Sequence, residues 1–164
     1  MKHALTLTEQ TRRVATLLAA RLRALHPELD PSVDSMTVHM SVRLPVPGRP
    51  GHELRADLYE EGATIAYDDG VPPGPAEKIL VWGAASDGAI LGAVIGALEE
   101  IFAGRVVLVR EPLSGWVRFI RRQDCDSLLG FVPSEEFRRW PGRRRERLLG
   151  SWTWSGATPP STPA

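Results

Sequence analysis

Residues 79–102 read ILVWGAASDGAILGAVIGALEEIF, the most apolar stretch of the chain, and this stretch decides how the other elements are arranged. It predicts a buried strand over residues 78–82, a turn of small residues, and a helix that begins after Ser86 and ends at Gly104. The large apolar residues of this helix share one stripe at helical spacing: Ile90, Leu91, Val94, Ile95, Leu98, Ile101 and Phe102. We expect that stripe to pack on a sheet.

The same helix carries a second stripe, made of small residues. Gly88, Gly92 and Gly96 recur every four positions along it. A glycine in a helix interior costs about 0.5–1 kcal/mol relative to alanine, so three of them need a physical reason. Close approach of another backbone is such a reason. The neighbour is either the N-terminal helix of the same chain or the same helix of a second subunit. The third alternative is that the glycines are tolerated without such a contact, and the sequence leaves all three open.

The segments before this stretch predict a helix followed by a meander of strands. A helix is expected from Thr6, where residues 6–9 have capping-box spacing, to just before Pro27. Its apolar stripe comprises Val14, Leu17, Leu18, Leu22 and Leu25. Residues 36–44, MTVHMSVRL, alternate between apolar and polar side chains and predict a half-buried strand, and shorter alternations predict strands over 53–59 and 63–69.

Charge predicts how the first two of these strands pair. In an antiparallel register in which paired residue numbers sum to 96, Arg43 faces Glu53. The same register places His39 opposite Asp57. Because opposite charges meet and no like-charged pair arises, we expect this register.

Later segments complete the predicted fold. Residues 105–110 form a central strand in this prediction and pair with residues 116–121 in a second hairpin, and Ser134 begins a short helix. The element order is then α-β-β-β-β-α-β-β-α, a single α+β domain over residues 1–155 with an antiparallel sheet and helices mainly on one face. Residues 156–164 predict a disordered tail. The order resembles that of small secretion-chaperone-type folds, which are homodimeric adaptors, and is similar in kind to compact bacterial toxin-immunity proteins.

The composition is that of a soluble globular domain. The chain has 164 residues, of which 43% are hydrophobic and 24% charged, and its formal net charge is zero. Residues 45–104 hold 3 basic and 10 acidic side chains, a net charge of −7. Residues 105–150 hold 11 basic and 6 acidic side chains, a net charge of +5. Such polarity suits charge-steered association. The single cysteine, Cys125, favours a reducing, cytoplasmic compartment, and the glycines within residues 79–98 argue against a membrane span.

Catalytic and cofactor signatures are not evident in the sequence. The loop at residues 83–88 has neither the lysine of a P-loop nor GxGxxG spacing, and the histidines and serines have no metal-ligand spacing or GxSxG elbow. We therefore expect no cofactor and no familiar enzyme mechanism. The exception to test is an acid–base or metal site in the acidic hairpin, built from His39, Asp57 and the Asp68-Asp69 pair.

Arginine and tryptophan are concentrated toward the C-terminus. Residues 138–147, RRWPGRRRER, combine clustered guanidinium groups with an aromatic ring, which suits phosphate contact and base stacking. Both residue types are also enriched at protein–protein interfaces. The residues predicted to meet a partner are Gly88, Gly92, Gly96, Arg138, Arg139, Trp140, Arg143, Arg144, Trp152 and Trp154.

These observations favour a non-enzymatic protein-binding module, of adaptor, chaperone or immunity type, that acts as a homodimer. The alternative is a nucleic-acid-binding protein that uses residues 138–147. The second alternative is an enzyme or metal protein that uses the acidic hairpin. The bias toward alanine, glycine and proline is typical of a bacterial source with a GC-rich genome.

Overall fold

The computed structural model describes residues 7–47, 49–68, 70, 74–110 and 117–121. The predicted helix after Ser134 and the predicted tail over 156–164 lie outside the described residues. The elements follow in chain order: α1 Glu9–Leu25, β1 Ser32–Ser35, β2 Met40–Pro45, β3 Glu53–Leu58, β4 Gly62–Asp68, β5 Ala76–Val81, α2 Asp87–Phe102, β6 Val106–Arg110 and β7 Val117–Arg121. Strands β1 to β5 form one antiparallel sheet in sequential order, and β6 pairs with β7. The predicted α+β class is confirmed.

Helix α2 begins and ends where its sequence predicts. The Ser86 hydroxyl caps the first turn by accepting a hydrogen bond from the Ala89 N–H at 3.2 Å. At the other end Gly104 has φ +71°, a left-handed conformation that favours glycine. The buried residues of α2 are Ile90, Leu91, Val94, Ala97, Leu98 and Ile101. No helix among the described residues is long and apolar enough to cross a membrane.

Helix α1 ends as predicted but starts later. Its N-cap is Thr8, whose hydroxyl accepts a hydrogen bond from the Thr11 N–H at 3.2 Å, so the predicted start at Thr6 was wrong. Leu17 and Leu25 of the predicted stripe are exposed. The buried face consists of Thr11, Val14, Ala15, Leu18, Ala19 and Leu22, and its small residues let the helix lie close to the sheet.

Alternation along the strands separates an inner face from an outer face. The inner face is buried and includes Val42, Leu44, Leu54, Ala56, Leu58, Ile65 and Tyr67. These residues form one hydrophobic core with the buried faces of both helices. The outer face carries the alternate positions, and no described helix covers it.

The strand predicted over residues 36–44 was wrong in its first half. Residues 36–39 form a hairpin in which the Met36 N–H donates to the His39 carbonyl at 2.9 Å. Strand β1, which the sequence pattern did not reveal, precedes this hairpin and pairs with β2. Met36 and Val38, predicted to face the core, are therefore exposed.

The predicted register of β2 and β3 was wrong by two residues. Met40 pairs with Leu58 and Arg43 with Arg55, so the paired residue numbers sum to 98. A shift of two keeps every side chain on its predicted face. The like-charged pair is tolerated because Glu53 bridges it, with distances of 2.7 Å to Arg43 and 3.3 Å to Arg55.

The strand predicted as buried over residues 78–82 is β5, which is buried on one side only. Its outer side chains Ile79 and Val81 are 72% and 83% exposed. The predicted second hairpin is confirmed as β6 and β7. Among the described residues, β6 pairs only with β7 in a two-stranded sheet, so the expectation that residues 105–110 form a central strand of the main sheet is not supported there.

Candidate interaction surface on the outer face of the sheet

The outer face of the sheet contains an open pocket of about 470 Å³ beside the β1–β2 and β3–β4 hairpins. Its lining comes from β1, β2, β3 and β5 and from the two hairpins. It comprises Asp34, Met36, His39, Ser41, Arg43, Arg55, Asp57, Tyr59 and Glu77. The outer positions of adjacent strands lie side by side, about 4.8 Å apart. The pocket therefore follows from strand register and is not the product of a long loop.

Asp57 forms the polar floor of the pocket together with Ser41, Arg55 and His39. It is only 6% exposed although it lies on the outer face. Ser41, its register partner on β2, donates to Oδ1 at 2.6 Å. The Arg55 Nε donates to Oδ2 at 3.0 Å. Burial of a carboxylate is costly unless its oxygens are hydrogen-bonded, and both Asp57 oxygens have a partner.

His39 closes the floor on the side of the β1–β2 hairpin. Its Nε2 lies 3.7 Å from Asp57 Oδ1, and its ring lies 5.0 Å from the Tyr59 ring, centroid to centroid. Its Nδ1 is buried and has no hydrogen-bond partner among the described residues. The Ser41 hydroxyl donates to a carboxylate that Arg55 already neutralises. This is not the arrangement of an activated nucleophile, which needs a base to accept the hydroxyl proton.

Burial and the neighbouring charges both act on the Tyr59 hydroxyl. Burial is the largest cause that raises the pKa of Tyr59, and the Asp57 and Glu77 carboxylates raise it further against the opposing charge of Arg55. For Arg55, burial acts to lower the guanidinium pKa, but its hydrogen bond to Asp57 and the charges of Asp57 and Glu53 outweigh burial and raise it. Arg55 is thus held as a paired cation, and at Tyr59 its charge is outweighed by the charges of Asp57 and Glu77.

An apolar rim lies at the same end of the sheet as this pocket. We use this name for Met36, Val38, Tyr59, Ile79 and Val81, the large apolar residues that are exposed in the two hairpins and on the outer side of β5. Ile79 pairs with Thr64, and Thr64 pairs with Asp57. Ile79 therefore lies two strands, or about 10 Å, from Asp57 in the polar floor.

Two further contacts fix the geometry of the rim. The Trp82 indole N–H donates to the Glu60 carbonyl at 3.2 Å, and the Trp82 backbone N–H donates to Glu61 at 2.9 Å. These bonds tie the end of β5 to the β3–β4 hairpin. At Gly62, a Cβ atom would collide with the Leu80 carbonyl oxygen, so the two strands can approach this closely only with glycine there. The rim is therefore held by backbone contacts.

The structure separates the residues of the predicted metal or acid–base site. His39 and Asp57 come together, as predicted, but Asp68 pairs with Glu53 four residues farther along the hairpin, about 13 Å away. The Asp68 carboxylate instead accepts a hydrogen bond from the Gly70 N–H at 2.8 Å, which is ordinary turn chemistry. Asp69 lies outside the described residues. Within the described ranges, no group of three or more His, Cys, Asp or Glu side chains could hold a metal ion.

The glycine stripe of α2 faces outward. A Cβ atom built at Gly88, Gly92 or Gly96 would meet no described atom within 4 Å, so α1 does not pack closely against these positions. The explanation within the chain is therefore not supported by the described residues, and contact with a second subunit stays a prediction. The other predicted partner residues, Arg138, Arg139, Trp140, Arg143, Arg144, Trp152 and Trp154, lie outside the described residues.

Comparison with family models, with curated proteins and with solved structures gives no match to this chain. Its function therefore has to be inferred from its own geometry.

Sequence reasoning did not identify Ile79, Val81 and Glu77 as surface residues. A signal for them does exist, because Glu77, Ile79 and Val81 alternate with Ala76, Lys78 and Leu80 along β5. The alternation is hard to recognise, since large apolar residues occupy both faces and the one lysine lies on the inner face. Only pairing with β4 shows which set points away from the core.

Proposed function

We propose that this protein is a non-enzymatic protein-binding module whose docking surface is the outer face of the β1–β5 sheet. The apolar rim carries this proposal. Single exposed apolar side chains are common on protein surfaces, whereas a group of them around a pocket is typical of interaction sites. Contact with a partner would remove Ile79 and Val81, the most exposed of the group, from water.

The polar floor also supports binding over catalysis. Its carboxylate, hydroxyl and guanidinium groups satisfy one another, so none of them is poised to take a proton from a substrate. A polar centre with fixed hydrogen bonds beside exposed apolar side chains is a common composition of protein interfaces. This fits the adaptor, chaperone or immunity type of protein that the element order resembles.

A capture experiment tests the proposed surface. The full-length chain is immobilised and exposed to a lysate of its source organism, and captured proteins are quantified by mass spectrometry. We expect a captured protein to be lost with the Ile79→Ser/Val81→Ser double variant and retained with Leu17→Ser, which changes a 42% exposed leucine on α1. Equal capture by wild type and double variant, or no specific capture, would refute the docking surface.

We further propose that the module acts as a homodimer. The outward glycine stripe of α2 supports this, because it leaves room for a second backbone to approach closely. Light scattering at micromolar concentration should then give a mass near twice 18.0 kDa. Gly92→Leu should halve that mass without unfolding the chain, and a wild-type monomer would contradict the dimer.

A further inference from the structure

The charge of the outer face indicates which kind of polypeptide it binds. Among the described residues, this face and the β3–β4 hairpin carry seven carboxylates and two guanidinium groups, a net charge of −5: Asp34, Glu53, Asp57, Glu60, Glu61, Asp68 and Glu77 against Arg43 and Arg55. An acidic surface attracts basic partners and repels nucleic acid and acidic peptides.

The two arginines of this face are occupied by its own carboxylates, and the net charge of −5 remains after they are counted. Arg43 is paired with Glu53 at 2.7 Å and with Asp34 at 3.4 Å. Arg55 is paired with Asp57 at 3.0 Å and with Glu53 at 3.3 Å. Both guanidinium groups are thus engaged within the sheet, and unpaired carboxylates remain beside them.

Glu77 is the unpaired carboxylate with the clearest position for a ligand. Its side chain has no hydrogen-bond or ion-pair partner among the described residues, and it lines the pocket together with Tyr59. It also lies two positions from Ile79 on the same face of β5. A partner's lysine or arginine could therefore lay its apolar stem on Ile79, place its cation at Glu77 and contact the electron-rich face of the Tyr59 ring.

We infer that the outer face binds a polypeptide segment in which a lysine or arginine, received between Glu77 and Tyr59, is flanked by large apolar side chains that pack on Ile79 and Val81. This inference rests on the proposed function, since it names the partner chemistry for the same surface. Charge complementarity selects the cation, and the apolar rim selects its neighbours.

Selection from a random library of phage-displayed 12-residue peptides on the full-length protein tests this inference. The most enriched peptide is then synthesised with a fluorescent label, and its Kd is measured by fluorescence anisotropy. We expect enriched sequences to contain lysine or arginine between apolar residues. Glu77→Gln should weaken binding about tenfold, the loss of one well-placed charge contact, and Ile79→Ser/Val81→Ser about thirtyfold or more. Glu9→Gln, a carboxylate removed from α1 on the other side of the sheet, should leave Kd unchanged.

The outcomes separate the partner chemistry from the docking surface. Peptides that depend on Ile79 and Val81 but carry no basic residue, or bind Glu77→Gln as tightly as wild type, would overturn the inference and keep the proposed function. If the selected peptides bind Glu77→Gln and Ile79→Ser/Val81→Ser as tightly as wild type, or if no peptide is enriched, the inference and the proposed function are both overturned. Weaker binding of the selected peptide in 500 mM than in 50 mM NaCl would add support, and unchanged Kd across that range would overturn the cationic contact.

Discussion

Replacement of Asp57 by alanine should destabilise the protein by about 3 kcal/mol. Hydrogen bonds to a charged group contribute about 1.5–3 kcal/mol each, and Asp57 accepts two, from Ser41 at 2.6 Å and Arg55 at 3.0 Å. Two such bonds sum to about 3–6 kcal/mol. We expect the lower end of that sum, because Arg55 keeps Glu53 as a partner and is about one quarter exposed. The Ser41 hydroxyl, in contrast, would be left buried without its acceptor.

Urea unfolding followed by circular dichroism measures this loss. Glu60→Ala, in the exposed β3–β4 hairpin loop, is the matched control and should change the free energy of unfolding by less than about 0.5 kcal/mol. Asp57→Asn should lose about half as much as alanine, since an amide oxygen can still accept one hydrogen bond. A loss below about 1 kcal/mol for Asp57→Ala would refute the reasoning, because it would mean that the polar floor contributes no more than a surface cluster does.

Three further predictions concern the helices and the close strand contact. Gly62→Ala should lower the free energy of unfolding in urea by about 2 kcal/mol, because its Cβ would meet the Leu80 carbonyl oxygen; an unchanged value would contradict this close contact. Hydrogen bonds from Arg13 and then Gln10 lower the pKa of Asp87, so this contact stabilises the fold above about pH 4, and its contribution is lost as the pH falls through the lowered pKa. Arg13→Gln should therefore make the fall of Tm at acid pH smaller than in the wild type. The same dependence of Tm on pH in both proteins would count against this prediction. His26→Ala should lower the free energy of unfolding by about 1–2 kcal/mol, because His26 Nε2 lies 2.6 Å from Glu99 Oε1 and its ring meets the Phe102 ring edge-on. The same free energy of unfolding as in the wild type would show that this link between α1 and α2 contributes little.

Local chemistry made parts of the fold predictable. The ends of α2 follow from a serine hydroxyl that caps free N–H groups and from a glycine that adopts a left-handed conformation, and both effects act within a few residues. The inner faces of β2 and β3 follow from strict alternation, because side chains of a strand point to opposite faces in turn. The β6–β7 hairpin follows from two strand-like runs on either side of residues 112–115, which contain the turn-forming proline and glycine.

Contacts between distant residues decided the rest. A two-residue shift in register preserves alternation, so the sequence pattern could not distinguish sums of 96 and 98, and only the β1–β2 hairpin and the shared Glu53 show which one forms. Likewise, glycine spacing in residues 79–102 indicates that α2 has a second face but not what lies beside it. The sequence by itself determined which side chains of β2 and β3 face the core and where α2 begins and ends. Only the tertiary structure decided that β5 turns Ile79 and Val81 outward and that Asp57 lies in a pocket beside them, because both depend on which strands become neighbours.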